Sequence, residues 1–240
     1  MHDPRRELTF PVLLNARDLG GYPTLDGART RWRSLLRADD LGQLTPDGVQ
    51  ALEEFGVETV VDLRWPEEVS ASPSPVAREL PHIRYQRIAL LGRTEAEWRA
   101  MSTECPKELW KCVVLDQSRT ELKEVLRTIA AASPGPLLFH CVAGKDRTGV
   151  IAALLLTLAD VVPDAIAYDY AVSTERLRDA YLRRYPDLER EEILEALRCP
   201  EEGVHHMLEH LAGLGGIRAY LELIGLHADE ITQLRARLRA

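Results

Sequence analysis

The sequence lacks several features that would place it in other classes of protein. No apolar segment follows the charged residues at the start of the chain, as a secretory signal would require. The longest apolar stretch, Val150 to Val162, contains Asp160 and is too short to span a bilayer. Asp and Glu (38) outnumber Lys and Arg (30), and the net charge of -8 argues against general binding of nucleic acid. We therefore expect a cytoplasmic protein with no nucleic-acid partner and no stable membrane insertion.

Cysteine is also scarce, and its spacing gives no metal-binding pattern. The chain contains four cysteines without a C-x-x-C pair: Cys105, Cys112, Cys141 and Cys199. In a chain without an export signal, we expect these cysteines to be reduced thiols.

An H-x-x-E-H pattern formed by His206, Glu209 and His210 is typical of inverted zinc peptidases. Such a short pattern arises easily by chance, and no further ligand is recognisable near it. We therefore predict neither a metal site nor a cofactor.

What is present is the composition of an ordinary globular domain, with 45% hydrophobic and 28% charged residues. Short apolar runs at Val57 to Leu63 and at Leu137 to Cys141 predict buried strands. Helical patterns, such as that over 95–113, lie between these runs and dominate the chain from Pro163 onward. This order predicts a single α/β domain over residues 1–240, with a mostly parallel central sheet flanked by helices and an extended helical C-terminal part.

One segment carries a recognisable chemical pattern, His140 to Gly149, with the sequence HCVAGKDRTG. Cys141 follows a predicted buried strand, and Arg147 opens the next predicted helix after five intervening residues. The backbone N–H groups of such a loop can all point inward, and the helix dipole adds positive charge at the same place. The loop is therefore predicted to cradle a tetrahedral dianion. The residues of this cradle are Val142, Ala143, Gly144, Lys145, Asp146 and Arg147.

The same positive field favours the thiolate of Cys141, which is the nucleophilic form of cysteine. We expect Thr148 to donate a hydrogen bond to the sulfur, and Arg147 to bind two phosphate oxygens with its planar guanidinium. The implied reaction has two steps, in which Cys141 attacks phosphorus and water then hydrolyses the cysteinyl phosphate. Two other functions stay open: a catalytically silent phosphate-binding module, and a sulfurtransferase that uses the same loop cysteine.

The loop sequence resembles the signature of the bacterial atypical tyrosine phosphatases, which include the mycobacterial and listerial tyrosine/lipid phosphatases. Further blocks are similar to this family: Asn15 to Tyr22, Leu36 to Asp39, Val61 to Arg64, Asp169-Tyr170 with Ser173, and Ala219 to Leu221 with Gly225-Leu226. The resemblance implies a phosphatase-type α/β fold. It also implies a hydrolase whose substrate is a phosphotyrosine or phosphoserine/threonine protein or a phosphoinositide.

The leaving oxygen needs a proton donor, which is expected to be an aspartate. The resemblance favours Asp146 in the loop, although its cationic neighbours favour the ionised carboxylate and so oppose this role. Asp62, at the end of a predicted strand, is the second candidate, with loop capping as its alternative role. Glu67 in the Trp65-Pro66-Glu67 run lies at a predicted helix start, far upstream of the cysteine, and is the least favoured candidate.

Other residues have expected supporting roles. His140 either orients the loop through its ring or is a satisfied core histidine. Arg17 and Arg64 are expected to form structural ion pairs. The helical segment 164–215 is long for a minimal catalytic fold, and it either forms a lid over the site, as the resemblance suggests, or packs simply on the sheet. The sequence leaves the oligomeric state open.

Overall fold

The computed structural model describes residues 2–91, 96 and 105–239, and a five-stranded sheet lies at the centre of the fold. The strands are β1 (Arg17–Asp18), β2 (Leu35–Ala38), β3 (Thr59–Asp62), β4 (Arg84–Arg87) and β5 (Leu137–His140). Their spatial order is β1-β2-β5-β3-β4, in which β1 pairs antiparallel with β2 and the other pairs are parallel. The prediction of a mostly parallel sheet flanked by helices is confirmed.

Helices lie between the strands and follow the last of them. Within the described residues they are α1 (Pro46–Phe55), α2 (Pro66–Ala71), α3 (Val76–Glu79), α4 (Trp110–Gln117), α5 (Arg119–Ala130), α6 (Asp146–Leu158), α7 (Pro163–Arg184), α8 (Arg190–Leu197), α9 (Glu202–Gly213), α10 (Ile217–Leu223) and α11 (Ala228–Leu238). Helices α7 to α11 form the extended helical C-terminal part. Of the helix predicted over 95–113, residues 95 and 97–104 lie outside the described residues, and α4 begins only at Trp110.

Local sequence signals explain where α1 begins and ends. Thr45 caps the helix by accepting a hydrogen bond from the Gly48 N–H, and Pro46 occupies the first helical position. Gly56 ends the helix with a φ of +84°, a conformation that glycine adopts without a Cβ clash. The chain can therefore turn at once into β3, whose residues are all buried.

The sheet separates two apolar cores, because side chains alternate between the two faces of a strand. On one face, Val60 and Leu138 pack in a cluster with residues of α1 and α3. On the other face, Val61 and Phe139 pack with residues of α4 to α6 and of the C-terminal helices. Strand β5 is buried on both faces, so the loop that follows it starts from a fixed position.

No helix within the described residues is long and apolar enough to cross a membrane. In the same part of the chain, no group of three or more His, Cys, Asp or Glu residues is arranged to hold a metal ion. The H-x-x-E-H pattern lies on helix α9, where His210 approaches Asp116 of α4 at 3.3 Å.

Candidate active site

The loop between β5 and α6 carries the predicted nucleophile. Cys141 directly follows β5 and is 2% exposed, and α6 begins five residues later at Asp146. Because β5 lies between two parallel neighbours, the loop stands at the carboxyl edge of the sheet, where open α/β folds bind ligands. The structure thus places a thiol beside a helix N-terminus, which is a natural site for an anion.

Gly144 allows this loop to turn against the end of β2. Its φ of +60° lies in the left-handed region, which residues with a Cβ rarely adopt. A Cβ at this position would also lie 2.3 Å from the carbonyl oxygen of Ala38. The close approach of the loop to β2 therefore requires glycine.

The carbonyl groups of the loop are bound from outside. The Asn15 side chain donates from Nδ2 to the carbonyl oxygens of Ala143 (2.9 Å) and Gly144 (3.0 Å). Arg37 donates to the Gly144 carbonyl at 2.6 Å, and the Asp40 N–H donates to the Val142 carbonyl at 3.0 Å. Because the C=O and N–H of a peptide group point in opposite directions, holding these carbonyl oxygens from one side favours N–H groups that face the other side, as an anion-binding loop requires.

Asp169 of α7 fixes the residues that hold the loop. Its carboxylate accepts hydrogen bonds from Arg17 at 2.9 Å, from Tyr22 at 3.0 Å and from Arg37. Arg17 in turn donates to Oδ1 of Asn15 at 2.6 Å. Burial alone would raise the pKa of Asp169, but the two arginines hold it well below its ordinary value, so the carboxylate stays ionised. The expected ion pairing of Arg17 is confirmed, with Asp169 as its partner.

Arg147 is clamped by an acidic residue that the sequence analysis did not identify. Its Nη1 and Nη2 atoms donate to the two carboxylate oxygens of Glu68 at 2.6 and 2.7 Å. The guanidinium also stacks on the Trp65 ring, 4.4 Å from its centroid. Burial alone would lower the pKa of Arg147, but Glu68 and Cys141 raise it above its ordinary value. The structure therefore keeps a permanent positive charge close to the thiol.

Lys145 and Asp146 stand at the start of α6. The Lys145 ammonium donates to the Ala196 carbonyl at 2.7 Å and lies 3.5 Å from the Asp146 carboxylate. Asp146 keeps 42% of its side chain exposed and accepts a hydrogen bond from the Tyr170 hydroxyl at 3.1 Å. Of the candidate proton donors, Asp146 is thus the one that stands at the loop itself, with its carboxyl partly exposed.

Asp62 has the surroundings of a structural carboxylate. It is fully buried and accepts hydrogen bonds from the Arg64 backbone N–H (3.0 Å), the Arg64 guanidinium (2.7 Å) and the Tyr85 hydroxyl (2.6 Å). Burial alone would raise the pKa of Asp62, but His140, Arg64 and Tyr85 lower it to about 2. A carboxyl that is ionised above this pH is a poor proton donor, so these contacts favour the loop-capping role of Asp62, and they confirm the ion pairing of Arg64.

His140 supports the backbone at the nucleophile. Its Nδ1 lies 3.2 Å from the carbonyl oxygen of Cys141, and its Nε2 lies 3.7 Å from Asp62. Burial lowers the pKa of His140, so the ring is neutral and donates from Nδ1. This contact favours the orienting role that the sequence left open.

Thr148 does not make the predicted contact. Its side chain is buried in the first turn of α6, and its hydroxyl has no hydrogen-bond partner among the described residues. The hydrogen bond expected from Thr148 to the Cys141 sulfur is therefore absent. The cations that act on the thiol are Arg147 and Lys145, both of which interact electrostatically with Cys141.

Comparison with known proteins identifies the family to which this loop belongs. A sequence model described as the tyrosine phosphatase family matches residues 8–240. The chain belongs to the tyrosine phosphatase family. A tyrosine-protein phosphatase of Nostoc commune is 38% identical to this family member over 223 residues, which are 85% of this chain and 74% of that protein. A candidate tyrosine-protein phosphatase of Cupriavidus necator is 30% identical over 181 residues, 72% of this chain and 64% of that protein.

Solved structures of two other proteins match parts of this tyrosine phosphatase family member. P. aeruginosa TpbA is 18% identical, has a TM-score of 0.38, and is matched over 69% of this chain and 86% of its own. The core catalytic domain of the S. cerevisiae PP-IP phosphatase SIW14 is 14% identical, with a TM-score of 0.37 and matches over 73% and 86% of the two chains. The assignment to the family is made on the sequence matches, which cover nearly the whole chain.

The sequence does not indicate the roles of two residues at the site, Glu68 and Asn15. The sequence predicts a helix start at Trp65-Pro66-Glu67, and α2 does begin there, where the Glu68 carboxylate accepts a hydrogen bond from the Trp65 N–H at 2.7 Å. The same carboxylate also clamps Arg147, which no local pattern indicates. The role of Asn15 was likewise hidden, because its partners lie about 130 residues further along the chain.

The C-terminal helices lie against the loop. Ala143 packs on a small apolar cluster formed by Leu177 of α7 with Ile193 and Leu197 of α8. Tyr181 joins the same cluster, and burial, Tyr185 and Cys141 raise its pKa to about 12. The segment 164–215 therefore contacts the loop between β5 and α6 directly through α7 and α8, in addition to packing on the main core.

Proposed function

We propose that this protein is a metal-independent phosphatase that hydrolyses phosphomonoesters through a cysteinyl-phosphate intermediate on Cys141. The observation that supports this most strongly is the outward binding of the loop carbonyl groups by Asn15 and Arg37, next to a buried thiol and a clamped Arg147. The loop N–H groups and Arg147 supply the positive charge that a phosphoryl group needs, so the proposed reaction calls for no metal and no cofactor.

The clamp leaves one edge of the Arg147 guanidinium for substrate. The Glu68 carboxylate binds the end of the guanidinium, where Nη1 and Nη2 each donate one N–H to it. The Nε–H and the remaining Nη2–H point along the adjacent edge, and together they match two oxygens of a phosphate. In the proposed complex this edge binds two equatorial oxygens while Cys141 attacks phosphorus from the opposite side of the leaving group.

Asp146 is the proposed proton donor and acceptor. In the first step its protonated carboxyl gives a proton to the leaving oxygen, and in the second step its carboxylate takes a proton from the attacking water. Tyr170 holds Oδ1 of Asp146 by a hydrogen bond, which orients the carboxyl for both steps. The carboxyl of Asp146 is partly exposed and can therefore meet a substrate, in contrast to the buried Asp62.

Turnover of p-nitrophenyl phosphate in the presence of a metal chelator tests the proposal. Cys141→Ser should abolish turnover by more than about 1000-fold, because a hydroxyl in this field is a weak nucleophile. Cys105→Ser, at a half-buried turn cysteine, is the matched control and should keep full activity. A silent binding module would bind phosphate without turnover, and a sulfurtransferase would release thiocyanate from thiosulfate and cyanide instead.

A series of aryl phosphates tests the role of Asp146. Asp146→Asn should lose roughly 100-fold in kcat with phenyl phosphate, whose leaving group needs a proton, and much less with p-nitrophenyl phosphate. Asp164→Asn, on the exposed first turn of α7, is the control. Equal losses with both substrates would remove Asp146 from the role of acid.

The surroundings of Lys145 bear on the class of substrate. Lys145 adds a second cation to the loop, which suits both phosphoproteins and the polyanionic headgroups of phosphoinositides. Its ammonium is already bound by the Ala196 carbonyl, so a second substrate phosphate would have to displace this contact. We therefore favour phosphoproteins, with phosphotyrosine first. Phosphotyrosine peptides, phosphoserine/threonine peptides and phosphoinositides assayed side by side would decide, and a kcat/KM highest for a phosphoinositide would reverse the order.

Helices α7 and α8 are proposed to form a lid over the loop. The apolar contacts of Ala143 with Leu177, Ile193 and Leu197, together with the Lys145–Ala196 hydrogen bond, would hold it closed. Leu197→Ala should loosen it and speed tryptic cleavage at Arg190 several-fold, with Leu194→Ala on the same helix as control. Cleavage as slow as in the unaltered protein would favour simple packing on the sheet.

A further inference from the structure

A buried lysine lies behind the proposed acid, and its ammonium makes no hydrogen bond to any residue that the structure describes. Lys111 of α4 is 0% exposed, and its ammonium has no acceptor among the described residues. The space around it is narrow, since a Cβ added to Gly203 would stand 3.3 Å from its Nζ. Burial is the main reason that the pKa of Lys111 falls to about 8.

The lysine is aimed at an aromatic ring whose far end touches the site. Nζ of Lys111 lies 3.3 Å from the centroid of the Tyr170 ring, which is a short cation–π contact. The hydroxyl of the same tyrosine donates to Oδ1 of Asp146 at 3.1 Å. A cation, a ring and a carboxylate are therefore connected in series, from the core of the C-terminal helices to the phosphate loop.

The other charged and titratable groups around Lys111 come from three further parts of the fold. Asp146 and Cys199 favour its charged form, while Lys145 of the loop and Arg37 of β2 oppose it. Tyr170 stays protonated because burial, and after it Asp146 and Cys199, raise its pKa well above the ordinary value. The hydroxyl therefore donates to Asp146 throughout the working pH range.

A buried ammonium without an acceptor destabilises a fold, and an apolar side chain of similar length would pack at lower cost. The position of Lys111 is thus unfavourable for stability but adds positive charge behind the Tyr170–Asp146 hydrogen bond. A cation on the face of a phenol ring withdraws electron density from the ring, which makes the hydroxyl a stronger donor. The stronger donor favours the carboxylate form of Asp146, which must accept a proton from water in the second step.

We propose that Lys111 is a positioning residue for Asp146 and that it acts through the ring and hydroxyl of Tyr170. This inference rests on the proposed role of Asp146 as acid and base. Lys111 itself touches neither substrate nor the reacting atoms; it tunes how readily Asp146 gives up and regains its proton. The effect must therefore appear in the pH dependence of turnover and depend on the Tyr170 hydroxyl.

The test compares pH–rate profiles of Lys111→Met, Tyr170→Phe and the double variant with phenyl phosphate. Lys111→Met should move the alkaline limb of kcat/KM upward by roughly half to one pH unit, because loss of a nearby cation favours the protonated carboxyl. It should also lower kcat about three- to tenfold, because the carboxylate needed for hydrolysis becomes scarcer. Adding Lys111→Met to Tyr170→Phe should produce less than half of this shift, since the path through the hydroxyl is already cut.

Stability separates a tuning role from a structural one. Lys111→Met should unfold at the same temperature as the unaltered protein or a few degrees higher, whereas a lysine kept for packing would give a lower temperature and an unmoved profile. Lys123→Met, at a half-buried lysine of α5, is the control and should leave the profile in place. A shift in the double variant as large as in Lys111→Met alone would overturn the proposal, as would an unmoved limb.

The Asp146→Asn variant keeps the two proposals apart. If it shows the expected dependence on leaving group while Lys111→Met leaves the profile unchanged, only the inference about Lys111 fails. If Asp146→Asn shows no such dependence, the assignment of the acid fails first, and a pH shift in Lys111→Met would then have to act on another group.

Discussion

The guanidinium of Arg147 and the carboxylate of Glu68 meet end to end, with Nη1 2.6 Å from Oε2 and Nη2 2.7 Å from Oε1. Both side chains are largely buried, and Trp65 covers the face of the guanidinium. The pair fixes the plane of the Arg147 guanidinium before a substrate binds. The side chain therefore loses its conformational entropy when the protein folds, and not when the substrate binds. We therefore count Glu68 as part of the proposed phosphate site, although its carboxylate is bound to Arg147 and is not expected to contact the phosphate itself.

Replacing the clamp should damage both stability and catalysis. Glu68→Gln keeps the size of the side chain but leaves the Arg147 charge without its partner, which should cost about 2–4 kcal/mol in the free energy of unfolding. The guanidinium should also lose its fixed orientation, and kcat/KM should fall roughly 10- to 100-fold. Urea unfolding and steady-state kinetics with p-nitrophenyl phosphate measure the two effects.

The neighbouring glutamate is the matched control for this prediction. Glu67 is exposed on the first turn of α2 and occupies the acidic position of the Trp-Pro-Glu run. Glu67→Gln should leave the free energy of unfolding nearly unchanged and should change kcat/KM by less than about twofold. A solvated surface charge contributes little to either quantity. A strong loss of activity in Glu67→Gln together with normal Glu68→Gln kinetics would reverse the assignment of the clamp.

Asn15 offers a test of how the loop carbonyl groups are held. Asn15→Asp is nearly isosteric, but it replaces the two N–H donors that bind the Ala143 and Gly144 carbonyls with a carboxylate oxygen that repels them. The loop N–H groups should lose their common direction, and the affinity for vanadate or phosphate should fall at least tenfold. Isothermal titration with phosphate reports this directly, and unchanged affinity would refute the role of Asn15 as a loop support.

The parts of the site that the sequence predicted are those encoded within one short segment. Cys141, Gly144 and Arg147 are adjacent in the chain, and their order after a buried strand determines that they share one loop. The strand, the helix and the left-handed glycine all follow from local chemistry. For this reason the fold class is predicted correctly and the strand, loop and helix lie where the sequence places them, while the roles of Cys141 as nucleophile and of the loop as a phosphate cradle stay predictions.

The contacts that hold this segment could not be predicted, because they join residues far apart in sequence. Arg17 and Asp169 are separated by 152 positions, and Arg147 and Glu68 by 79. Nothing in a single sequence states which of many charged residues will meet once the helices pack. The Thr148 hydroxyl illustrates the converse, since proximity in sequence to the cysteine suggested a contact that the helix geometry does not provide.

Gly144 should be intolerant of any side chain. Gly144→Ala places a Cβ 2.3 Å from the Ala38 carbonyl oxygen and forces a φ of +60° on a residue that disfavours it. We expect a loss of about 2–3 kcal/mol in the free energy of unfolding and loss of nearly all turnover, because the loop must move away from β2.

A glycine of helix α9 provides the control for this strain. Gly213 has no heavy atom near the position of an added Cβ, so Gly213→Ala should stabilise the protein by up to about 1 kcal/mol through helix propensity alone. Thermal unfolding of both variants tests the pair. Equal stability of the two variants would show that the loop can relax around a Cβ.

The burial of His140 leads to a prediction of how the free energy of unfolding changes with pH. Burial keeps its ring neutral in the folded protein and lowers its pKa, whereas in the unfolded chain an ordinary histidine has a pKa near 6.5. Below this pH the unfolded chain binds a proton that the folded protein excludes, so stability should fall by up to about 1.4 kcal/mol per pH unit until the folded ring is protonated. Stability due to this group is thus fully present above about pH 6.5 and is lost as pH falls.

Replacing His140 tests this pH dependence. His140→Gln should flatten the slope of the free energy of unfolding against pH between pH 6.5 and 5, whatever its effect at pH 7. His82→Gln, at an exposed histidine, is the control and should keep the slope of the unaltered protein. Parallel curves for His140→Gln and the unaltered protein in urea titrations would mean that the imidazole is not held neutral beneath the nucleophile.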